Sequence, residues 1–203
     1  MDSRRDLAES ANVLLAERGC RPLPEDAIGR MVGDGAATLV ARVFDASGCP
    51  QPPGALTRFL SIYNGRLLTF TRAYPGIQDA LTALGARAHL AVLTNKPLQA
   101  TREILTALDL ARHFPPAHVL GGDGPLPGKP DPAGLLYLMR EVAATPDETM
   151  MVGDSVVDWR TARAVGTHIC LARYGFGFEG FPVGELSPDD RLVDRADQLV
   201  ALL

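Results

Sequence analysis

Over the first seventy residues apolar side chains return every three or four positions, and after Tyr74-Pro75-Gly76 they gather instead into short unbroken runs. The first pattern is that of amphipathic helices, the second that of strands buried on both faces. A helix is expected from Ser3, where Asp6 three residues on completes a capping-box pattern. Leu7, Ala11, Leu14 and Leu15 supply its apolar stripe and Gly19 ends it. Further helices are expected over Pro24 to Val32, Ala36 to Ala46 and Pro53 to Phe70, parted by Gly33-Asp34-Gly35 and by the proline-rich run from Cys49 to Gly54.

Beyond Gly76, strands are expected at His89 to Thr94, His118 to Gly121, Thr149 to Gly153 and Thr167 to Ala172. Helices fall between and after them, at Ile77 to Leu84, Leu98 to Leu108, Pro132 to Ala143, Val156 to Val165 and Arg195 to Leu203. Strands alternating with helices imply a parallel sheet covered on both faces, an α/β core of Rossmann-like type. The expected organisation is a helical domain over residues 1–72 followed by an α/β core over 73–203. In such a sheet the ligand crevice lies at the carboxyl ends of the strands.

Composition narrows the class. With 203 residues, 46% of them hydrophobic, the chain can form one core domain and a small appended one. No run approaches the roughly 18 to 20 apolar residues of a membrane span, and the N-terminus lacks a basic-then-apolar leader, so a cytoplasmic protein with no membrane partner is expected. A net charge of −4 without a basic run argues against a nucleic-acid partner. Cys20, Cys49 and Cys170 are odd in number and far apart, and suggest neither a disulfide framework nor zinc. Basic residues are almost all Arg; the only lysines are Lys96 and Lys129, which points to places where a compact ammonium is needed instead of a planar fork.

Three of the expected strands run into polar residues suited to one kind of chemistry. Leu90-Ala91-Val92-Leu93 ends in Thr94-Asn95, a hydroxyl and an amide at a strand-to-helix turn, able to hold a phosphoryl oxygen or simply to cap the helix. Gly128-Lys129-Pro130-Asp131-Pro132 fixes a lysine in a stiff loop before a helix, where it would neutralise a phosphoryl group or merely face solvent. Met150-Met151-Val152-Gly153-Asp154 carries a carboxylate at the end of a strand, with Asp158 one helical turn on. Two carboxylates so placed suit Mg²⁺, which keeps water or phosphate in its other positions; they also suit a helix start.

Taken together and in this order, these segments resemble the haloacid dehalogenase superfamily. With Tyr74-Pro75-Gly76, Thr94-Asn95-Lys96-Pro97, Gly121-Gly122-Asp123 and Arg173-Tyr174-Gly175 they are similar to its phosphoglycolate phosphatase group. The resemblance implies a magnesium-dependent hydrolase of a small phosphorylated metabolite that works through an aspartyl-phosphate. It implies that Thr94 and Lys129 serve catalysis, that Asp154 and Asp158 serve the metal, and that the helical segment is a mobile cap. Asn95, Gly33 and Asp34 become expected substrate contacts, the Gly33-Asp34-Gly35 loop reading equally as a plain interhelical turn. Arg30, Arg66 and Arg72 are candidates to meet a substrate carboxylate, surface ion pairing being the favoured reading of each.

The family's nucleophile strand ends in Asp-x-Asp-Gly-Thr, followed by Leu, a variable residue and Asp-Ser. Asp2-Ser3 matches that tail, and no Asp-x-Asp pair occurs elsewhere in the chain. The expectation is therefore a core whose first strand is missing, with unpaired strand edges, an apolar gap and no activity. A gene start placed too late or a deletion would account for it, and the DNA upstream of Met1 separates the two. A phosphonate hydrolase would need a cap lysine, and no lysine precedes Lys96; a dehalogenase needs no metal carboxylates. A sugar phosphomutase, another small-ester phosphatase, or an inactive relative that binds phosphate or a partner stays open, as does the oligomeric state.

Overall fold

The computed structural model describes residues 1–202. Its first part is four helices, α1 (Arg4–Ala16), α2 (Glu25–Gly29), α3 (Ala36–Ser47) and α4 (Ala55–Asn64). The expected long helix from Pro53 breaks at Asn64, and turns carry the chain on to Phe70. The capping box expected at Ser3 does not form: the Ser3 hydroxyl makes no cap bond, and Asp2 instead accepts from the Arg4 N–H at 3.0 Å. Asp6, fully buried, turns away from the helix start and accepts from the N–H groups of Phe70 and Thr71 and from the Thr71 hydroxyl, the last two at 2.7 Å. A carboxylate spent this way anchors α1 to the end of the helical segment.

Leu14, Leu15, Val43, Phe44, Phe59 and Tyr63 are buried to 1% exposure or less and form the helical core. Each such side chain contributes about 1.5–3 kcal/mol by leaving water. The helical segment's two ends lie side by side, because Asp2 and Arg72 exchange antiparallel main-chain hydrogen bonds of 2.8 and 3.1 Å. One expectation fails here: Cys20 and Cys49 are joined by a disulfide. Distance along the chain hid their meeting, since the loop after α1 and the loop after α3 come within a Cα separation of 6.2 Å. Cys170 is a buried free thiol.

The second part is α/β, as expected. It runs α5 (Ile77–Gly85), β1 (Val92–Leu93), α6 (Leu98–Ala107), β2 (Val119–Leu120), α7 (Ala133–Glu141), β3 (Met150–Gly153), α8 (Val156–Val165), β4 (His168–Ala172) and β5 (Arg191–Val193). All pairings are parallel. Ala100 and Ile104 of α6 belong to the helical core, so that core is shared between the two parts. Three residues led by Arg191 were too short and too polar to read as β5. The expected helix after Arg195 is a 3₁₀ segment, Ala196–Leu202, and its last expected residue, Leu203, lies outside the described residues.

The single sheet expected from the sequence is two sheets, β1–β2 and β3–β4–β5, and among the described residues no strand joins β1 to β3. A cavity of about 550 Å³ separates them, walled by Ala91 and Leu93 on one side, Met150 and Val152 on the other, and Leu135 and Met139 from α7. β1, paired with β2 on one side only, is ordered for two residues where six were expected, and Val152 is 47% exposed. No helix among the described residues is long and apolar enough to cross a membrane.

Asp6 yields a stability test. Asp6→Ala strips the Phe70 and Thr71 N–H groups and the Thr71 hydroxyl of their acceptor, and buried orphan donors cost about 1–3 kcal/mol each. Urea unfolding of this variant should show a loss of roughly 3 kcal/mol, and a loss below 1 kcal/mol would refute the anchoring role.

Candidate active site

The carboxyl ends of β1 and β3 and the helical segment enclose a cavity of about 250 Å³. β1 delivers Thr94 to it. The Thr94 N–H donates to the Leu120 carbonyl at 3.1 Å, continuing the β1–β2 ladder, and its Oγ1 accepts from the Lys96 N–H at 3.1 Å. That leaves the hydroxyl proton to donate to an oxygen in the cavity.

Lys129 enters from the loop before α7, whose Lys129–Pro130 peptide is cis. Its Nζ donates to Asp158 Oδ1 at 2.6 Å, with the two side chains only 12% and 6% exposed. The other Asp158 oxygen, Oδ2, accepts from the N–H groups of Asp154 and Ser155 at 3.1 Å each and from the Ser155 hydroxyl at 2.7 Å. Ser155 caps α8 in return through its Oγ, completing a capping box. Burial alone would push the Asp158 carboxyl up; the Lys129 ammonium and these donors outweigh it and hold the group below its ordinary value. Gly153 is required at this turn, because a Cβ there would stand 2.3 Å from the Asp158 carboxyl carbon.

Asp154 behaves oppositely. Burial and then the Asp158 charge push its carboxyl up, against a hydrogen bond from the Gly177 N–H at 3.0 Å. A Cβ at Gly175 would come within 2.3 Å of Asp154, so the loop after β4 closes on this side chain only because residue 175 is glycine. Among the described residues no three His, Cys, Asp or Glu side chains form a metal cage. The donor chemistry still fits a magnesium ion held in part by Asp154, since Mg²⁺ takes one or two carboxylates and fills its shell with water and phosphate. Asp158, expected as a second metal residue, has both oxygens occupied by protein donors and serves as the anchor of Lys129.

The other expected contacts divide. Gly33 lines the cavity; Asp34 does not, and pairs with Arg42 at 2.6 Å. Asn95 lines it too, but its amide nitrogen donates to the carbonyls of Gly33 and Lys129 at 2.8 and 2.7 Å. Asn95 thus clips the helical segment to the lysine loop in place of binding substrate through that group. Arg30 pairs with Glu179, Arg66 with Glu9, and Arg72 with main-chain carbonyls, so none of the three faces the cavity. Lys96 and Tyr63, which sequence reasoning gave no role, do line it. The rarity of lysine in the chain was the available signal for Lys96.

Two pH-dependent outcomes follow from the carboxylates. Asp158 has a depressed folded pKa, so its contribution is present above the unfolded value of 3.8 and is lost as pH falls through the folded value. Lys129→Met leaves that charge buried without a counter-ion, and should cost about 3–5 kcal/mol in urea unfolding at pH 7, less at pH 4. Asp154 has a raised folded pKa, so ionising it opposes folding as pH rises through that value. Without metal, Asp154→Asn should unfold at higher urea than the parent at pH 7, with the gain shrinking at lower pH; a lower midpoint at pH 7 would contradict the raised pKa.

Comparison with known proteins gives the family. Residues 1–172 match the model of the haloacid dehalogenase-like hydrolase family. The chain is 41% identical over 189 residues to the phosphoglycolate phosphatase of Rhodospirillum rubrum, covering 89% of this chain and 77% of that one. It is 32% identical over 212 residues to the phosphoglycolate phosphatase of Haemophilus influenzae strain 86-028NP, covering all of this chain and 93% of the relative. The crystal structure of a predicted phosphoglycolate phosphatase from Haemophilus somnus superimposes with a TM-score of 0.89 at 28% identity, over 98% of this chain and 91% of its own. A sequence match over most of the chain, a shared fold and polar strand ends converging on one cavity place this chain in the haloacid dehalogenase-like hydrolase family.

Proposed function

We propose that residues 1–203 form the phosphate- and magnesium-handling part of a phosphomonoester hydrolase for 2-phosphoglycolate, whose nucleophilic aspartate lies outside these residues. The observation that carries this is the meeting of Thr94, Lys129 and Asp154 on one 250 Å³ cavity, at the carboxyl ends of β1 and β3. The Thr94 hydroxyl donates to a phosphoryl oxygen. Lys129, held by Asp158, neutralises charge that builds on the phosphoryl group. Asp154 supplies a hard oxygen ligand, and magnesium, when bound, withdraws charge from the phosphoryl oxygens. Relatives named phosphoglycolate phosphatase favour that ester, and the cavity suits a small one.

The helical segment acts as the cap of this reading. The Asp2–Arg72 bridge holds the two ends of the cap together, and the Asn95–Gly33 hydrogen bond is one of the contacts that close it over the cavity. A closed cap excludes water and strengthens every charge interaction inside.

Covalent phosphoryl transfer to a carboxylate needs an aspartate aimed at the Thr94–Lys129 oxygen sites, and the family's Asp-x-Asp-Gly-Thr is not among the 203 residues. Purified residues 1–203 with magnesium should release no phosphate from 2-phosphoglycolate above background. The same protein extended ahead of Met1 by a strand ending in Asp-x-Asp-Gly-Thr should release it. Turnover by the first, or none by a folded second, would overturn the reading.

A further inference from the structure

The chain has two lysines, and they are treated differently. Lys129 has a carboxylate partner at 2.6 Å. Lys96 lines the same cavity, yet among the described residues no carboxylate lies within ion-pair distance of it. Its Nζ donates to the Tyr63 hydroxyl and stands 4.5 Å from the Tyr63 ring centre. Burial raises the Tyr63 hydroxyl well above its ordinary value, so the partner is a neutral phenol and brings no compensating charge. Asp6, the carboxylate whose field favours the charged lysine, is spent on Phe70 and Thr71. Burial lowers the Lys96 ammonium to about 8.

A desolvated cation without a counter-ion costs free energy unless a ligand supplies the anion. The arginines expected to meet a substrate carboxylate are occupied elsewhere: Arg30 by Glu179, Arg66 by Glu9, Arg72 by carbonyls. We infer that Lys96, steered by Tyr63, is the specificity-determining residue that receives the carboxylate of the substrate, while Thr94 and Lys129 receive its phosphoryl group. This rests on the phosphatase reading above and deepens it. The three residues share one small cavity, so the substrate it selects is a short ester carrying an anionic group close to the phosphate. A neutral alcohol moiety would leave the ammonium unpaired, which selects against uncharged small esters as well as for the carboxylate.

Calorimetric binding separates the two statements. 2-Phosphoglycolate and ethyl phosphate differ in having a carboxylate or a methyl at the same position. With magnesium present, the chain should bind 2-phosphoglycolate about tenfold tighter or better, the scale of a charge-assisted hydrogen bond. Lys96→Met should erase that preference by costing 2-phosphoglycolate far more affinity than ethyl phosphate; Lys96→Gln serves as a second variant should Met disturb folding. A preference that survives in both, or an equal loss for both ligands, overturns the inference. Thr94→Val should instead weaken both ligands, and its having no effect on either counts against the phosphate site.

A direct readout does not depend on phosphate binding. Lysine labelled with ¹³C at Cε gives two signals, one for each lysine. Glycolate, which has the carboxylate alone, should shift the Lys96 signal and raise its titration above about 8, with Lys129 unmoved. The charged groups acting there are Asp6 and the Met1 amino group, with Tyr63 neutral, so the titration is compared with and without glycolate on the same protein. An unmoved Lys96 signal refutes the assignment.

Discussion

Asp158 is the point on which the site hangs. Its carboxylate gathers the Lys129 ammonium, two main-chain N–H groups and the Ser155 hydroxyl, joining the proline-flanked loop, the end of β3 and the first turn of α8 in one bonded set. A buried ion pair of this kind holds geometry more than it adds stability, because desolvating two charges consumes most of their attraction. What it fixes here is direction: Lys129 must face the cavity. It also divides the labour of the two carboxylates. Asp158 is satisfied and held below its ordinary value, while burial, and after it the Asp158 charge, raises its neighbour Asp154.

The rest of the molecule positions that set from the opposite side. Asp6 ties α1 to the exit of the helical segment, Asp2 and Arg72 pair its two ends, and Asn95 clasps Gly33 to the Lys129 carbonyl. Each is a polar contact between distant parts of the chain. The sheet they face is interrupted. β1 and β3 present edges to a 550 Å³ cavity with apolar walls, and strand order is short on the β1 side. Edge backbone groups without a neighbour are satisfied poorly, so this is the least supported part of the fold.

The fold class was legible because helical and strand periods alternate cleanly from Ile77 onward, and α8 ends where Val165 and Gly166 say it should. Strand lengths were not, since an apolar run such as Leu90-Ala91-Val92 reads as a strand whether or not a neighbour is present to pair with it. The residues that meet in the cavity, Thr94 and Asp154 among them, were legible from position: a polar residue at a strand's end faces the crevice. Roles that depend on a partner far along the chain were hidden. Nothing local says that Asp6 reaches Thr71, that Asn95 spends its amide on Gly33, or that Cys20 meets Cys49.

The choice of lysine over arginine at two positions has a physical reason that runs through all of this. Of 20 basic side chains, two are Lys, and both line the same small cavity. A guanidinium brings five N–H donors in a rigid plane, and each must find an acceptor when buried. In 250 Å³ walled largely by apolar side chains there is no such supply, and a Lys→Arg exchange would strand donors. An ammonium needs fewer partners and can turn to meet them. Lys129 finds its anion in Asp158; Lys96 finds only the Tyr63 hydroxyl, and burial without a counter-ion lowers its pKa. A protein selected for stability alone would bury a leucine there, so the residual charge points to a ligand.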